Sequence, residues 1–125
     1  MDINEANAKQ LWRDRYGNED NVKDFTGRWM YFDDYGKQEK LRKSQGGEMR
    51  DYGWNIHHML PEAKGGTDDK NNLEIVHWET NAAASDKTSY TIDGVTYEVR
   101  RHSNGTHGIY RKSDGKRVDF TIPNS

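Results

Sequence analysis

A chain of 125 residues with 31% hydrophobic and 32% charged side chains has the length for one domain with a small core and not for two. It contains no cysteine, which excludes disulfides and thiolate metal sites and is compatible with a reducing cytoplasm, the location expected here. The net charge of −2 and pI near 6.2 exclude bulk attraction to nucleic acid, so any such contact has to rest on local clusters of Lys and Arg.

Asp2 and Glu5 have the spacing of a capping box, and Ala8, Leu11, Trp12 and Tyr16 recur at helical spacing until Gly17. This predicts an amphipathic helix of about four turns, burying Leu11 and Trp12 against a core; contact with nucleic acid through Arg13 and Arg15 is the alternative. The opening MDINEANAKQ carries no basic region followed by an apolar one, and no apolar run reaches the length of a membrane span. Neither a signal peptide nor an anchor is expected.

Residues 28–32 are β-prone, residues 33–36 read as a turn, and residues 37–49 read as an exposed charged loop. Lys37, Lys40, Arg42, Lys43 and Arg50 outnumber Glu39 and Glu48 there. That loop is a candidate phosphate-backbone patch, or else ordinary solvated surface. Residues 54–60 and 73–76 read as two strands of a central hairpin, joined by a long polar loop in which Gly65 and Gly66 supply left-handed backbone. Residues 80–87, with Ala82, Ala83 and Ala84, read as a helix.

Beyond Thr88 the chain is β-rich. Residues 90–92 and 95–99 flank Asp93-Gly94, a two-residue hairpin signal, and residues 109–110 and 118–122 flank a second turn at Ser113–Gly115. Arg100, Arg101, Arg111, Lys112, Lys116 and Arg117 cluster in this part. They could lie along a phosphate backbone or simply protect sheet edges from aggregation.

The strongest signal is the spacing within residues 54–87: His57 and His58 adjacent on a strand, then Pro61, Gly65-Gly66, Asn72-Leu73, and Asn81 nine residues after Asn72. Adjacent strand residues point to opposite faces, so a kink, prepared by Pro61, is needed to bring both imidazoles to one centre. Two imidazoles suit two tasks, metal ligand and general base, and Asn81 could add an oxygen ligand.

This pattern resembles the HNH nuclease motif, matching at His57, His58, Pro61, Gly65, Gly66, Asn72, Leu73 and Asn81. The stretch from about residue 11 to residue 54 is similar to the lead-in of a small bacterial and phage subgroup. The resemblance implies an α+β fold with a ββα-metal (HNH, His-Me finger) core, an N-terminal helix and C-terminal β-hairpins. A single domain over residues 1–125 is expected, with the helix and loop at 1–53, the core motif at 54–87 and the β-rich extension at 88–125.

The implied activity is metal-dependent endonucleolytic hydrolysis of DNA phosphodiester bonds. His58 is the implied catalytic base. Asn72 is the implied partner in the catalytic centre, bonding backbone across the long loop so that the His-bearing strand keeps its aim. His57 and Asn81 are the implied ligands of one divalent ion. An Asn oxygen where many members have His favours Mg²⁺ or Mn²⁺, with Zn²⁺ and Ni²⁺ as alternatives. His77 and Thr80 stand where many members carry zinc-ribbon cysteines; for His77 the readings are an added ligand, a phosphate contact or a packing substitute. The Lys that commonly follows the last ligand has no match at Ala84, and Lys87 lies near. Lys87, Arg100, Arg101, Arg111 and Lys112 are the candidate nucleic-acid contacts. DNA is the expected partner. The alternatives are a non-catalytic DNA-binding module that keeps the fold, and a toxin-type nuclease, for which an inhibitor protein would be a further partner.

Overall fold

The computed structural model of the chain describes residues 1–121. Helix α1 spans Glu5–Tyr16. Its N-cap is Asn4, whose side chain accepts from the Asn7 amide at 2.9 Å, so the expected capping box from Asp2 is corrected by two positions. Gly17 closes the helix at φ 61°, donating its N–H to the Arg13 carbonyl. The apolar stripe is buried: Ala8, Leu11 and Trp12 pack with Met30, Trp54, Ile56, Leu73 and Ile75, and the Trp12 and Trp54 rings lie 4.8 Å apart. Both helix arginines are engaged within the fold. Arg13 pairs with Asp20 and lies over the Phe32 ring, and Arg15 pairs with Glu74.

Residues 18–53 hold more structure than one strand and a loop. Two antiparallel hairpins form, β1 (Asn21–Lys23) with β2 (Trp29–Tyr31) and β3 (Leu41–Lys43) with β4 (Met49–Asp51). Strands of three residues are too short to show a period-2 pattern, which is why the sequence hid them. The first hairpin is fixed by a buried carboxylate. Asp24 Oδ1 accepts from the Thr26 amide and hydroxyl and from the Arg28 amide, while Oδ2 accepts from the His77 amide and the Thr80 hydroxyl. In a chain without cysteine, this carboxylate ties the N-terminal hairpin to the middle of the protein. The second hairpin is held by Arg42, which forks onto the fully buried Asp34 at 2.7 and 2.8 Å.

The centre is β5 (Trp54–His58) paired antiparallel with β6 (Leu73–His77), in register from Trp54 opposite His77 to His58 opposite Leu73. Helix α2 follows over Trp78–Ala84. It starts two residues earlier than the sequence suggests because the His77 ring caps it, and it stops earlier because Ser85 takes φ 51°. The mixed helix and sheet composition is α+β.

The C-terminal part is one three-stranded antiparallel sheet, β7 (Ser89–Ile92), β8 (Val95–Arg101) and β9 (His107–Arg111). The Asp93-Gly94 turn joins β7 to β8. The second expected hairpin forms in shortened shape: Tyr110 and Arg117 make one antiparallel bridge and the Val118 amide donates to the Ile109 carbonyl, while β9 pairs along its length with β8 and residues 118–121 form no strand, Ile122 lying outside the described residues. The reason is Asp119, whose carboxylate takes the Ile109 amide and the Arg117 guanidinium in place of a strand ladder. Met59, Ala84, Tyr90, Ile92, Tyr97 and Ile109 make a second core, so β5–β6 and α2 are packed between α1 and this sheet. Among the described residues no helix is long and apolar enough to cross a membrane.

Candidate active site

The expected kink that would turn both imidazoles to one centre is corrected: β5 keeps its register through His58, so His57 and His58 follow the strand alternation and meet different surroundings. His57 is buried at 3% exposure, with Nδ1 2.8 Å from Asn81 Oδ1 on α2. The Asn81 amide is oriented from its other end, because Nδ2 donates to Asn55 Oδ1 at 2.8 Å. Asn55 lies two residues before His57, on the same strand face. Burial pushes the His57 pKa below its ordinary value, the Asn81 bond works against that shift, and neighbouring His58 adds to it. The ring is therefore neutral near neutral pH and keeps a lone pair to offer. Its Nε2 is buried without a hydrogen-bond partner among the described residues.

His58 is half-buried on the other side of the strand. Its Nε2 lies 2.7 Å from Asp68 Oδ1 and 3.6 Å from Glu62 Oε1. These three side chains bring donor atoms within 4.8 Å of one another, yet both carboxylates are exposed, and the His58–Asp68 hydrogen bond is enough to account for their approach.

The loop between β5 and β6 is closed by Asn72. Its Oδ1 accepts from the Leu60 amide at 2.9 Å, and its Nδ2 donates to the carbonyls of Leu60 and Thr67 at 3.1 and 2.9 Å. The two glycines serve different needs. Gly65 takes left-handed backbone at φ 93°, whereas at Gly66 a Cβ would collide with the Leu60 carbonyl. His77 sits at the far end of the β5–β6 pair, with Nε2 on the Asp51 carbonyl, Nδ1 accepting from the Glu79 amide, and its ring stacked on Trp78. Both nitrogens are occupied by the fold itself.

As a donor set, His57 and Asn81 offer one neutral nitrogen and one neutral oxygen. Their 2.8 Å separation is close to the ~3 Å edge of an octahedron with bonds of about 2.1 Å. The residues fit a hard divalent ion whose remaining ligands are oxygen.

The candidate phosphate contacts divide into two groups. Arg100 is paired with Glu98 and lies over the Tyr110 ring, and Arg111 forks onto Asp114. Lys87, Arg101 and Lys112 make no side-chain hydrogen bond or ion pair among the described residues. Sequence reasoning missed Asn55 and Asp68. It also missed residues 104–107, which line a cavity of about 290 Å³ with Leu60, Thr67, Asp69, Asn71 and Asn72 of the β5–β6 loop. Strand alternation could have pointed to Asn55. Nothing in the spacing of the Gly-Gly-Thr-Asp-Asp run aims Asp68 at His58.

A family model described as HNH endonuclease matches residues 40–87, the stretch that contains His57, His58, Asn72 and Asn81. No curated protein and no solved structure matches the chain.

Proposed function

We propose that this chain, whose residues 40–87 match the HNH endonuclease family model, is a divalent-metal-dependent endonuclease hydrolysing DNA phosphodiester bonds, built on a ββα-metal core of β5, β6 and α2. The observation that carries this reading is the approach of His57 Nδ1 to Asn81 Oδ1 at 2.8 Å, with a second imidazole on the next residue.

In this reading His57 and Asn81 hold one ion, which when bound neutralises the scissile phosphate and stabilises the leaving oxygen. The set contains no carboxylate, so waters and phosphate oxygens complete it. That favours Mg²⁺ or Mn²⁺ over Zn²⁺ or Ni²⁺. Burial keeps His57 neutral for this task, and Asn55 keeps the Asn81 oxygen turned toward it. His58 takes a proton from the attacking water as the new phosphorus–oxygen bond forms and the bond to the leaving oxygen breaks; such help is typically worth ~10²–10⁴ in rate. Asn72 holds the loop that fixes where β5 ends. Lys87, Arg101 and Lys112 are the cations available to the DNA backbone, whereas Arg100 and Arg111 would first have to leave Glu98 and Asp114.

Nicking of supercoiled plasmid with Mg²⁺ or Mn²⁺, with and without chelator, tests the reading. Metal-dependent strand breaks support it. Mobility shifts of DNA without any cleavage would instead indicate a binding module.

A further inference from the structure

We propose that Asp68 is a positioning residue for His58: its carboxylate accepts the Nε2 proton, holds the neutral ring in the Nε2–H tautomer, and so leaves the Nδ1 lone pair to receive the proton from water. This deepens the reading above and rests on His58 being the base.

The argument begins with the contact. At 2.7 Å, His58 Nε2 and Asp68 Oδ1 are at the short end expected of a hydrogen bond to an ionised group. An ionised carboxylate can only accept, so the proton of a neutral imidazole in this contact sits on Nε2. Nδ1 makes no hydrogen bond among the described residues, which leaves it open to a water. Glu62, at 3.6 Å and with a side chain 71% exposed, is too far to compete.

The carboxylate is also held in place. Asn72 Nδ2 donates to the Thr67 carbonyl and the Asn72 backbone amide donates to the Asp69 carbonyl at 2.8 Å, so both neighbours of Asp68 are fastened to one residue. The Asp69 amide adds a bond to the Thr67 hydroxyl at 3.3 Å. Asn72 thereby reaches His58 through Asp68, which gives a physical route by which a residue that touches no substrate can aim the base. A base oriented by a third group is a recurring arrangement in nucleophile activation.

The tautomer is read directly by ¹⁵N NMR of the metal-free protein at a pH where the ring is neutral, with the His58 signal identified by its loss in His58→Ala. The expected result is the Nε2–H form in the wild type and a mixture in Asp68→Ala. Single-turnover cleavage by Asp68→Ala should fall roughly 10–10²-fold, with metal affinity by calorimetry and melting temperature unchanged. Glu62→Gln should change none of these. Should Asp68→Ala fold poorly, the near-isosteric Asp68→Asn carries the cleavage and metal arms, with a fall in cleavage at unchanged metal affinity expected.

A wild-type ring protonated on Nδ1, or an Asp68→Ala protein with wild-type tautomer and cleavage, overturns the proposal. So does a loss of metal affinity in step with cleavage, which would make Asp68 a ligand. Wild-type cleavage by His58→Ala would instead overturn the base assignment, and the NMR arm still reports on the Asp68 contact by itself.

Discussion

Asn81 reaches from α2 to place its amide oxygen 2.8 Å from Nδ1 of His57, a residue 24 positions earlier on β5. The contact joins a strand and a helix whose only sequence link is the β5–β6 loop and β6 itself. If it marks the metal site, His57→Ala and Asn81→Ala should lose both metal affinity and cleavage, while His58→Ala should lose cleavage and keep metal affinity. Asn55→Ala frees the Asn81 amide to turn and should weaken metal binding by about 10–100-fold. Calorimetric titration of the four variants checks the division; equal loss of affinity in His58→Ala would refute it. Metal affinity should also fall as acid protonates the His57 ring, and burial places that fall below the ordinary imidazole range.

Asn72→Ala removes the acceptor of the Leu60 amide and the donor to the Leu60 and Thr67 carbonyls. Leaving such buried groups unpaired costs about 1–3 kcal/mol. Cleavage should fall about 10²-fold or more as the loop loosens, with metal still bound. Near-normal cleavage and melting temperature would reduce Asn72 to a turn residue.

Asp24→Ala strips partners from the buried His77 amide and Thr80 hydroxyl and opens the first hairpin. A loss of about 1–3 kcal/mol for each buried donor left unpaired is expected, a large share of the roughly 5–15 kcal/mol of a typical domain. Urea unfolding measures it. An unchanged midpoint would show that the hairpin stays closed without the carboxylate.

Glu74 gives a pH signature. It is buried between Arg15 at 3.0 Å and the Phe120 amide at 2.6 Å, with Asp119, Arg117, Tyr16 and Tyr90 around it. Burial pushes its carboxyl up to about 7 from an ordinary 4.5, against the pull of Arg15 and the Phe120 amide. A carboxyl that holds its proton more tightly when folded contributes its full stability below the unfolded value and loses it as pH rises through the folded one. The stability of the wild type relative to Glu74→Gln should therefore decline between 4.5 and about 7 and level off above, by no more than about 1.4 kcal/mol per pH unit. Paired urea titrations across that window check it; a constant difference would mean that the carboxylate stays ionised beside Arg15.

Local rules carried far in this protein. The spacing of Ala8, Leu11, Trp12 and Tyr16 determined α1 and its buried face, because helical period and burial coincide within a few turns. Asp93-Gly94 determined the β7–β8 hairpin, because few residues take positive φ at both turn positions. The run from His57 to Asn81, which lies within the stretch that matches the HNH family model, determined the β5–β6 pair and the helix after it, since the Pro, Gly and Asn positions mark where each element must end.

Tertiary structure decided the rest, and chiefly through carboxylates. Asp24 closes a hairpin that three-residue strands could not announce, and Asp119 takes the Ile109 amide so that the second turn carries a single bridge, Tyr110 with Arg117. Asp34 takes Arg42, and Glu74 takes Arg15 from 59 positions away, so a count of basic residues could not tell which cations remain available. His77, open in the sequence between an added ligand, a phosphate contact and a packing substitute, serves as a helix cap in the fold. Asp68 lies 2.7 Å from His58, and Asn72 bonds the residues on either side of it. Periodicity and turn chemistry act over a few residues and are written into the sequence locally. The partner of a charge is whichever group the folded chain brings within about 3 Å, and that is a property of the packed molecule.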